Sequence, residues 1–194
     1  TRESLRSSLF PVDVATYVHP PQRSFFPQTR DFLILQSTGL DDVVSGGLAP
    51  AQQLRYSALS VRVVPTSDGV EYRPDTDMLR IAADPDRGDA FLYDEFRFKS
   101  PTDITVAADG TNFIFVTDGG SDSLYVFTGQ GVEGVTPPPG SRSTRPVIVS
   151  FGGAGDGALQ FREPQGVAYF QRIVYVADSG NNRIGRFRLN TDFE

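Results

Sequence analysis

The chain has 194 residues, a formal net charge of −6, no cysteine and one histidine. Because cysteine is absent, disulfides, thiolate zinc sites, iron–sulfur clusters and thiol nucleophiles are excluded, while the redox compartment stays open. One histidine cannot build a two-histidine metal centre within a chain. The longest apolar runs, of four or five residues, fall far short of the roughly 20 that a transmembrane helix needs.

Residues 1–30 are predicted to form an extended arm or tether, followed by an all-β domain at 31–194. His19-Pro20-Pro21 and Phe26-Pro27 interrupt any helix and favour extended chain. The arm carries a charge of +2, so with −6 in total the rest of the chain carries −8.

From residue 31 onward, short runs rich in Val, Ile, Phe and Tyr are bounded by Gly, Asp, Asn or Pro, which is typical of β-strands. The composition agrees, because aspartate far outnumbers glutamate and only one cation is lysine. One or two helical turns fit between Gly46 and Tyr56, and Ser67–Gly69 and Ala108–Gly110 are predicted to be tight turns. The predicted strands are Phe32–Gln36, Ala58–Val64, Met78–Ala82, Ile104–Ala107, Phe113–Thr117, Leu124–Phe127, Val147–Ser150, Gly166–Tyr169, Ile173–Ala177 and Ile184–Leu189.

An internal repeat is the most informative feature of the chain. Three residue types recur in the same order, at an offset of 63 for the proline and 60 for the other two: Pro101 and Pro164, Asp118 and Asp178, Phe127 and Phe187. Each copy predicts an antiparallel meander, which cannot bury both faces alone and must stack on similar units. Radial stacking gives a β-propeller with blades of about 40–50 residues. A Pro/Ser-rich surface loop at 129–146 accounts for the longer offset.

The second copy with its lead-in, residues 151–187, resembles the NHL repeat. The residues that carry the resemblance are Pro164, Gly166, Val167, Val176, Asp178, Asn181, Asn182, Arg183, Ile184 and Phe187. The first copy, at about 96–127, is a degraded version with Asp103 in place of the glycine and Ser121-Asp122-Ser123 in place of Asn-Asn-Arg. A weaker echo spans 78–93, and residues 1–77 carry no recognisable repeat.

The resemblance implies an antiparallel blade of a β-propeller, usually six-bladed, in proteins that bind RNA or protein, in a peptide-amidating lyase, and in secreted or envelope-bound bacterial proteins. Six blades of about 42 residues need more chain than this sequence supplies. We therefore expect a small or incomplete propeller, blades completed by a partner, or another all-β packing of the units.

The motif residues Asp178, Asn181, Asn182 and Arg183 are expected to be structural: the Asp and Asn cap turn amides and the arginine ties one blade to the next. The other interpretation is a ligand contact at the propeller face. No catalytic residue is predicted. His19 lacks a nearby orienting carboxylate and nucleophile, and the single histidine argues against the lyase, which uses histidine metal ligands.

The densest acidic stretch, residues 84–95, has two interpretations. The spacing of Asp84, Asp86 and Glu95 matches positions 1, 3 and 12 of a calcium loop, whose ligands are oxygens. Asp89 lies between them and would be a further oxygen ligand. The required glycine at position 6 is displaced, since Gly88 is fifth, and no helices flank the stretch. A solvated acidic turn is the other reading, so no cofactor is required and Ca²⁺ remains an alternative.

Two further binding classes are disfavoured. The glycine-rich segment Gly152–Gly157 lacks a following Lys-Ser/Thr and precedes strands, so it does not predict a phosphate loop. Arg172, Arg183, Arg186 and Arg188 make the last repeat locally basic, but a charge of −8 on the domain repels nucleic acid.

The sequence thus predicts a non-enzymatic protein–protein interaction or scaffold module. We expect an accessory subunit of an extracytoplasmic or membrane-associated assembly in the cell envelope, with other protein subunits as partners in an oligomer or hetero-complex. The arm and the Pro/Ser loop are the expected contacts. The usual location of NHL proteins in the envelope and the lack of a starting methionine favour a lipid anchor through a removed N-terminal signal, with peripheral membrane association. The alternatives are a propeller hydrolase or lyase that uses carboxylate-bound Ca²⁺, and an RNA-binding NHL domain.

Overall fold

A computed structural model describes residues 10–17, 31–40, 54–74, 90–92, 94, 97–107, 109, 111–137, 139–142 and 146–189. Within these residues the chain forms three antiparallel sheets and no α-helix, with one short 3₁₀ turn at Ser179–Asn181. The predicted all-β, antiparallel fold class is confirmed.

The first sheet contains β1 (Phe10–Tyr17), β2 (Asp31–Leu40), β3 (Leu54–Thr66) and β4 (Gly69–Pro74) in that spatial order. The predicted turn at Ser67–Gly69 joins β3 to β4, and Gly69 adopts a φ of +146°, which glycine tolerates best.

The first sheet differs from the sequence prediction at two places. Phe10–Tyr17 pairs with β2 along its length, so the expected division at residue 30 falls between two paired strands. Pro11 within this segment and Pro20 and Pro21 after it hide its strand character in the sequence. The helical turn expected up to Tyr56 is wrong at its end, because Leu54–Tyr56 begins β3, where pairing with β2 overrides weak local propensity. Residues 46–53 lie outside the described residues.

The second and third sheets are the two copies of the repeat. The second contains β5 (Pro101–Val106), β6 (Ile114–Asp118), β7 (Ser123–Phe127) and β8 (Phe151–Gly152). The third contains β9 (Pro164–Phe170), β10 (Ile173–Asp178) and β11 (Arg183–Arg188). In both, the repeat proline begins the first strand and the repeat aspartate ends the second, so the predicted meanders are confirmed.

Two predicted strands have other outcomes. The strand expected at Val147–Ser150 is wrong: Val147 makes only an isolated bridge to Val135, and the strand follows at Phe151. Pairing with the edge of β7 selects that position, although Gly152 is a weak strand former. The strand expected at Met78–Ala82 lies outside the described residues.

The first strands of the three sheets lie next to one another, with β1 beside β5 and β5 beside β9. Each sheet then extends away from this shared position by consecutive antiparallel strands. The second and third sheets thereby lie face to face, and the side chains between them form a buried cluster.

The second sheet is apolar on both faces because alternate residues of β6 point to opposite sides. Ile114 and Val116 join one buried cluster, whose other members are Phe91, Leu92, Phe98, Ile104 and Phe127. Phe115 joins the cluster between the second and third sheets and stacks on Tyr169 with ring centroids 5.3 Å apart. Each face of this sheet is therefore covered.

The loop at 129–146 is partly folded onto the second sheet. The Gly134 amide donates to the Val126 carbonyl at 2.7 Å, and Val135 is fully buried. Thr136 and residues 139–140 are exposed. Only part of the expected surface loop is thus available to a partner.

The core between the second and third sheets can be tested with a matched leucine pair. Leu124 on β7 is 1% exposed and Leu159 is 59% exposed. We expect Leu124→Ala to lower the free energy of unfolding by about 2–5 kcal/mol, because it leaves a cavity. Leu159→Ala should change it by less than about 0.5 kcal/mol. Urea unfolding followed by circular dichroism measures both, and equal effects would contradict the packing described.

Candidate functional site

Asp178 is the polar centre of the third sheet. It ends β10 and its side chain is fully buried. Its carboxylate accepts hydrogen bonds from the Arg162 amide at 2.7 Å, from Asn181 Nδ2 at 2.9 Å and from Arg183 Nε at 2.7 Å. A buried carboxylate is stable only with such partners, so these contacts hold the end of the strand in one conformation.

Arg183 and Asn181 also bind the glycine-rich loop that precedes the third sheet. The Arg183 guanidinium donates to the carbonyls of Asp156, Gly157 and Gln160 at 2.7–2.9 Å. Asn181 Nδ2 also donates to the Gly155 carbonyl at 2.8 Å. The carbonyls of this loop, rather than its amides, face the motif side chains, whereas a phosphate loop presents amides to its ligand.

The electrostatics of this cluster favour the ionised carboxylate. Burial alone raises the pKa of Asp178, but the Arg162 amide, Asn181 and Arg183 outweigh burial and hold the pKa below its ordinary value. Asp178 is therefore charged at neutral pH and paired with Arg183 inside the protein.

The equivalent aspartate of the second sheet is stabilised differently. Asp118 is fully buried and accepts hydrogen bonds from the backbone amides of Lys99, Ser100 and Gly120 at 2.8–2.9 Å. The residue at the position of Arg183 is Ser123. Its short side chain has no guanidinium that could bind the carbonyls of a preceding loop. Backbone amides thus stabilise the buried carboxylate of Asp118, whereas the side chains of Asn181 and Arg183 help to stabilise that of Asp178.

Asn182 and its counterpart Asp122 set the turn that follows the second strand. Both adopt a left-handed conformation, with φ of 52° and 51°, which asparagine and aspartate tolerate better than most residues. Asp122 Oδ1 also accepts the Glu163 amide at 2.7 Å and so joins the second sheet to the third.

Two side chains of β5 bind the inner edge of β9. Thr102 Oγ1 donates to the Pro164 carbonyl at 2.8 Å, and Asp103 Oδ2 accepts the Val167 amide at 2.7 Å. Sequence reasoning missed both contacts. The available signal was Asp103 itself, which occupies the position of Gly166 in the other copy.

The repeat phenylalanines pack in different surroundings. Phe187 lies edge-on to Phe151 and Phe161, with ring centroids 4.8 and 5.6 Å apart. Phe127 is fully buried and meets Phe98 edge-on at 6.0 Å. Beside Phe187, a cavity of about 270 Å³ opens between the second and third sheets and is lined mostly by apolar side chains.

The third sheet has one covered face and one open face. Val174, Val176 and Asp178 face the second sheet and are buried, so the alternate residues of β10 face away from it. Cross-strand pairing adds residues of β9 and β11 to the same side. We define the open face as Ala168, Phe170, Ile173, Tyr175, Ala177 and Ile184. Phe170 and Ile184 are 63% and 65% exposed.

The remaining candidate residues have no described position. Asp84, Asp86, Asp89 and Glu95 of the acidic stretch lie outside the described residues, as does His19, so Ca²⁺ binding stays a prediction. In the described part of the chain, no three His, Cys, Asp or Glu residues are grouped as a metal site. The same part contains no helix long and apolar enough to cross a membrane.

Comparison with known families identifies the motif built around Asp178. Residues 161–187 match the family model of the NHL repeat. This stretch of the chain is similar to an NHL repeat. The match begins at buried Phe161 and ends at Phe187, and so includes the third sheet up to the residue before its last, with the turn that Asn181 and Arg183 hold. No curated protein matches the chain.

Among solved structures, the chain is similar to an auxiliary nutrient binding protein from Bacteroides thetaiotaomicron. The sequence identity is 11% and the TM-score is 0.36, over 89% of this chain and 46% of that protein. The chain thus spans about half the length of that protein. A likeness of this size assigns neither a ligand nor a function to the NHL repeat described here.

The role of Arg183 in the NHL repeat can be tested by shortening its hydrogen-bonding reach. Arg183→Lys keeps the charge but loses the planar fork that binds several carbonyls. We expect the free energy of unfolding to fall by about 1–3 kcal/mol and the loop amides of Gly155 and Phe161 to exchange faster with deuterium. Arg186→Lys, an exposed change on the same strand, is the control. Equal exchange in both variants would disprove the clamp.

The paired Asp178 also predicts a pH dependence of stability. Since its pKa in the folded protein lies below the ordinary 3.8, its contribution is complete above that value and is lost as the pH falls through the folded pKa. Asp178→Asn should therefore lower stability at neutral pH and flatten the loss of stability in acid. Urea unfolding from about pH 7 to about pH 3 measures this, with Asp68→Asn in the exposed β3–β4 turn as the control. An unchanged acid slope in Asp178→Asn would refute the assignment.

Proposed function

We propose that the chain is a non-enzymatic protein–protein interaction module of the β-propeller type, acting as an accessory subunit of an extracytoplasmic or membrane-associated assembly. The observation that supports this most directly is the open face of the third sheet. A sheet in this fold is completed by a neighbour on each side, and here one side presents apolar residues to solvent.

The exposed apolar residues have the character of an interface. Contiguous exposed apolar patches rimmed by polar residues mark protein-binding surfaces more often than isolated exposed leucines do. Phe170 and Ile184 lie at opposite ends of the open face, and the aromatic Tyr175 lies between them. Aromatic residues are enriched at the centres of protein interfaces.

The motif side chains serve the fold and leave the open face as the binding surface. Asp178, Asn181 and Arg183 donate to or accept from one another and the glycine-rich loop. Their role is therefore to hold the third sheet rigid, which lowers the entropic cost of binding a partner.

Charge favours a protein partner over a nucleic acid. Arg186 and Arg188 lie on the same side of the sheet as the open face, because they pair with Tyr175 and Ile173. The chain as a whole nevertheless has a charge of −6, which repels a polyanion at long range. An acidic protein surface can pair with these arginines and is repelled less by the rest of the chain than RNA, which carries a charge on every phosphate.

The cellular setting of the proposal follows the resemblance to NHL proteins. That resemblance favours a secreted or envelope-bound protein, with peripheral attachment to a membrane through a lipid on a removed N-terminal signal. Other protein subunits are the partners we expect, and no cofactor is needed for this role.

Photocrosslinking tests the interaction surface. A photoreactive amino acid placed at Ile184 should crosslink to protein in the native cell extract, and the same residue at Leu159 should not. Both positions are exposed, at 65% and 59%, but only Ile184 belongs to the open face. Mass spectrometry of the products identifies the partner. If Ile184 gives no more crosslinking than Leu159, the open face is not an interaction surface.

A further inference from the structure

We propose that the cavity between the second and third sheets is a binding site for a small, uncharged, apolar molecule of the size of a substituted benzene. The cavity has a volume of about 270 Å³ and lies on the side of the third sheet opposite the open face. This inference goes beyond the proposed function, because it assigns a ligand to a second site. Its walls consist of residues of the second and third sheets and of the segments that adjoin β8 and β11.

The floor of the cavity is apolar and buried. It is formed by Phe115, Leu124 and Val126 of the second sheet and Val174 of the third, none of which is more than 2% exposed. A floor of this kind holds water poorly, because a buried water needs roughly two to four polar partners. An apolar cavity of about 150 Å³ stays dry and binds benzene, so the larger volume here admits a ring with a short substituent.

The remaining apolar walls form the mouth of the cavity, through which a ligand can enter. Val149, Phe151, Phe187 and Leu189 pack against the cluster between the sheets but are only partly buried. Phe151 and Phe187 meet edge-on, with ring centroids 4.8 Å apart. An aromatic ligand at this position can add a further edge-to-face or offset contact, which is the geometry that aromatic rings prefer.

The lining disfavours a charged ligand. Arg188 is the one charged residue among the described residues that line the cavity. Alternation along β11 directs its side chain to the opposite side of the strand from Phe187. A carboxylate that entered the cavity would lose its hydration without gaining a paired cation. The walls therefore favour a ligand without charge.

The other side of the second sheet shows how apolar side chains fill comparable surroundings. At an offset of 60, the counterpart of Phe187 is Phe127. Phe127 is fully buried in a cluster that also contains the fully buried Phe91 and Leu92. Phe187 is only partly buried and borders the cavity. Apolar volume that the chain itself fills around Phe127 is thus open beside Phe187, and an apolar ligand supplies it.

Binding should stabilise the fold as well as occupy the cavity. An empty apolar cavity leaves the atoms of its lining without packing partners on one side. A ligand that fills it restores those contacts in the folded protein, and these contacts are lost when the two sheets separate on unfolding. The melting temperature should therefore rise with ligand concentration.

An NMR titration of the full chain with fluorobenzene tests the proposal. We expect saturable changes in the fluorine signal of the probe and in the methyl signals of Leu124, Val126 and Val174, together with a rise in melting temperature. Fluorobenzoate, the charged analogue, should bind more weakly by about tenfold or more, because its carboxylate loses hydration in the cavity.

A pair of neighbouring residues supplies the matched variants. Val149→Phe should weaken fluorobenzene binding by about tenfold or more, because the larger side chain takes up space at the mouth. Ile148→Phe is the control, since Ile148 is 68% exposed and does not line the cavity, and it should leave the dissociation constant within about twofold. Circular dichroism checks folding, and Leu189→Phe replaces Val149→Phe if that variant unfolds.

Four results would overturn the inference. The first is a fluorobenzene signal that does not change up to the solubility limit of the probe. The second is a set of protein shifts confined to the open face, such as those of Ile184. The third is equal weakening by Val149→Phe and Ile148→Phe. The fourth is fluorobenzoate binding as tight as that of fluorobenzene, which contradicts the choice of an uncharged ligand.

Discussion

The second and third sheets present apolar side chains on both faces, and the rest of the structure depends on covering them. A meander of three or four strands has no interior of its own, so its stability comes from the sheets on either side. The second sheet meets this requirement within the chain, with Ile114 and Val116 buried on one side and Phe115 and Leu124 on the other. The third sheet meets it on one side only.

The buried aspartates fix how the entry segment of each repeat meets the end of its second strand. A carboxylate removed from water is strongly destabilising unless it is paired, so the chain must bring donors to Asp118 and Asp178. The donors to Asp178 come from the loop and turn that flank the third sheet, and the amides bound to Asp118 come from the segment that enters the second. Satisfying one buried charge thus aligns the entry segment with the end of the second strand.

The sequence was sufficient to predict the repeat, the strand-rich fold and the motif positions, because these follow from local rules. Short runs rich in Val, Ile, Phe and Tyr, bounded by turn residues, located β6, β7, β9, β10 and β11 within one or two residues. The offset between the copies placed Asp178 at the end of a strand, and the Asn-Asn-Arg segment marked the turn where Asn182 adopts a left-handed conformation.

Long-range partners account for what the sequence did not show. The strand at Phe10–Tyr17 depends on pairing with a segment beyond residue 30. The short strand at Phe151 exists because β7 has a free edge there. Arg183 was expected to tie blades together, but its identity alone could not show that it binds three carbonyls of the loop before its own sheet. In the sequence, Asp103 is a departure from the repeat pattern. In the structure its carboxylate accepts the Val167 amide of the neighbouring sheet.

The differences between the two copies follow from what each one contacts. The first copy departs from the repeat pattern at Asp103, where its side chain binds the adjacent sheet. A side chain fitted in this way suits one neighbour and no other. The second copy has a glycine, Gly166, at the equivalent position, and its Ile184 lies exposed on the side that faces away from the second sheet. In the described residues, no side chain of this side makes a fitted polar contact of the kind that Asp103 makes with β9. The copy that departs further from the repeat pattern is therefore the one whose polar side chains are fitted to its neighbour.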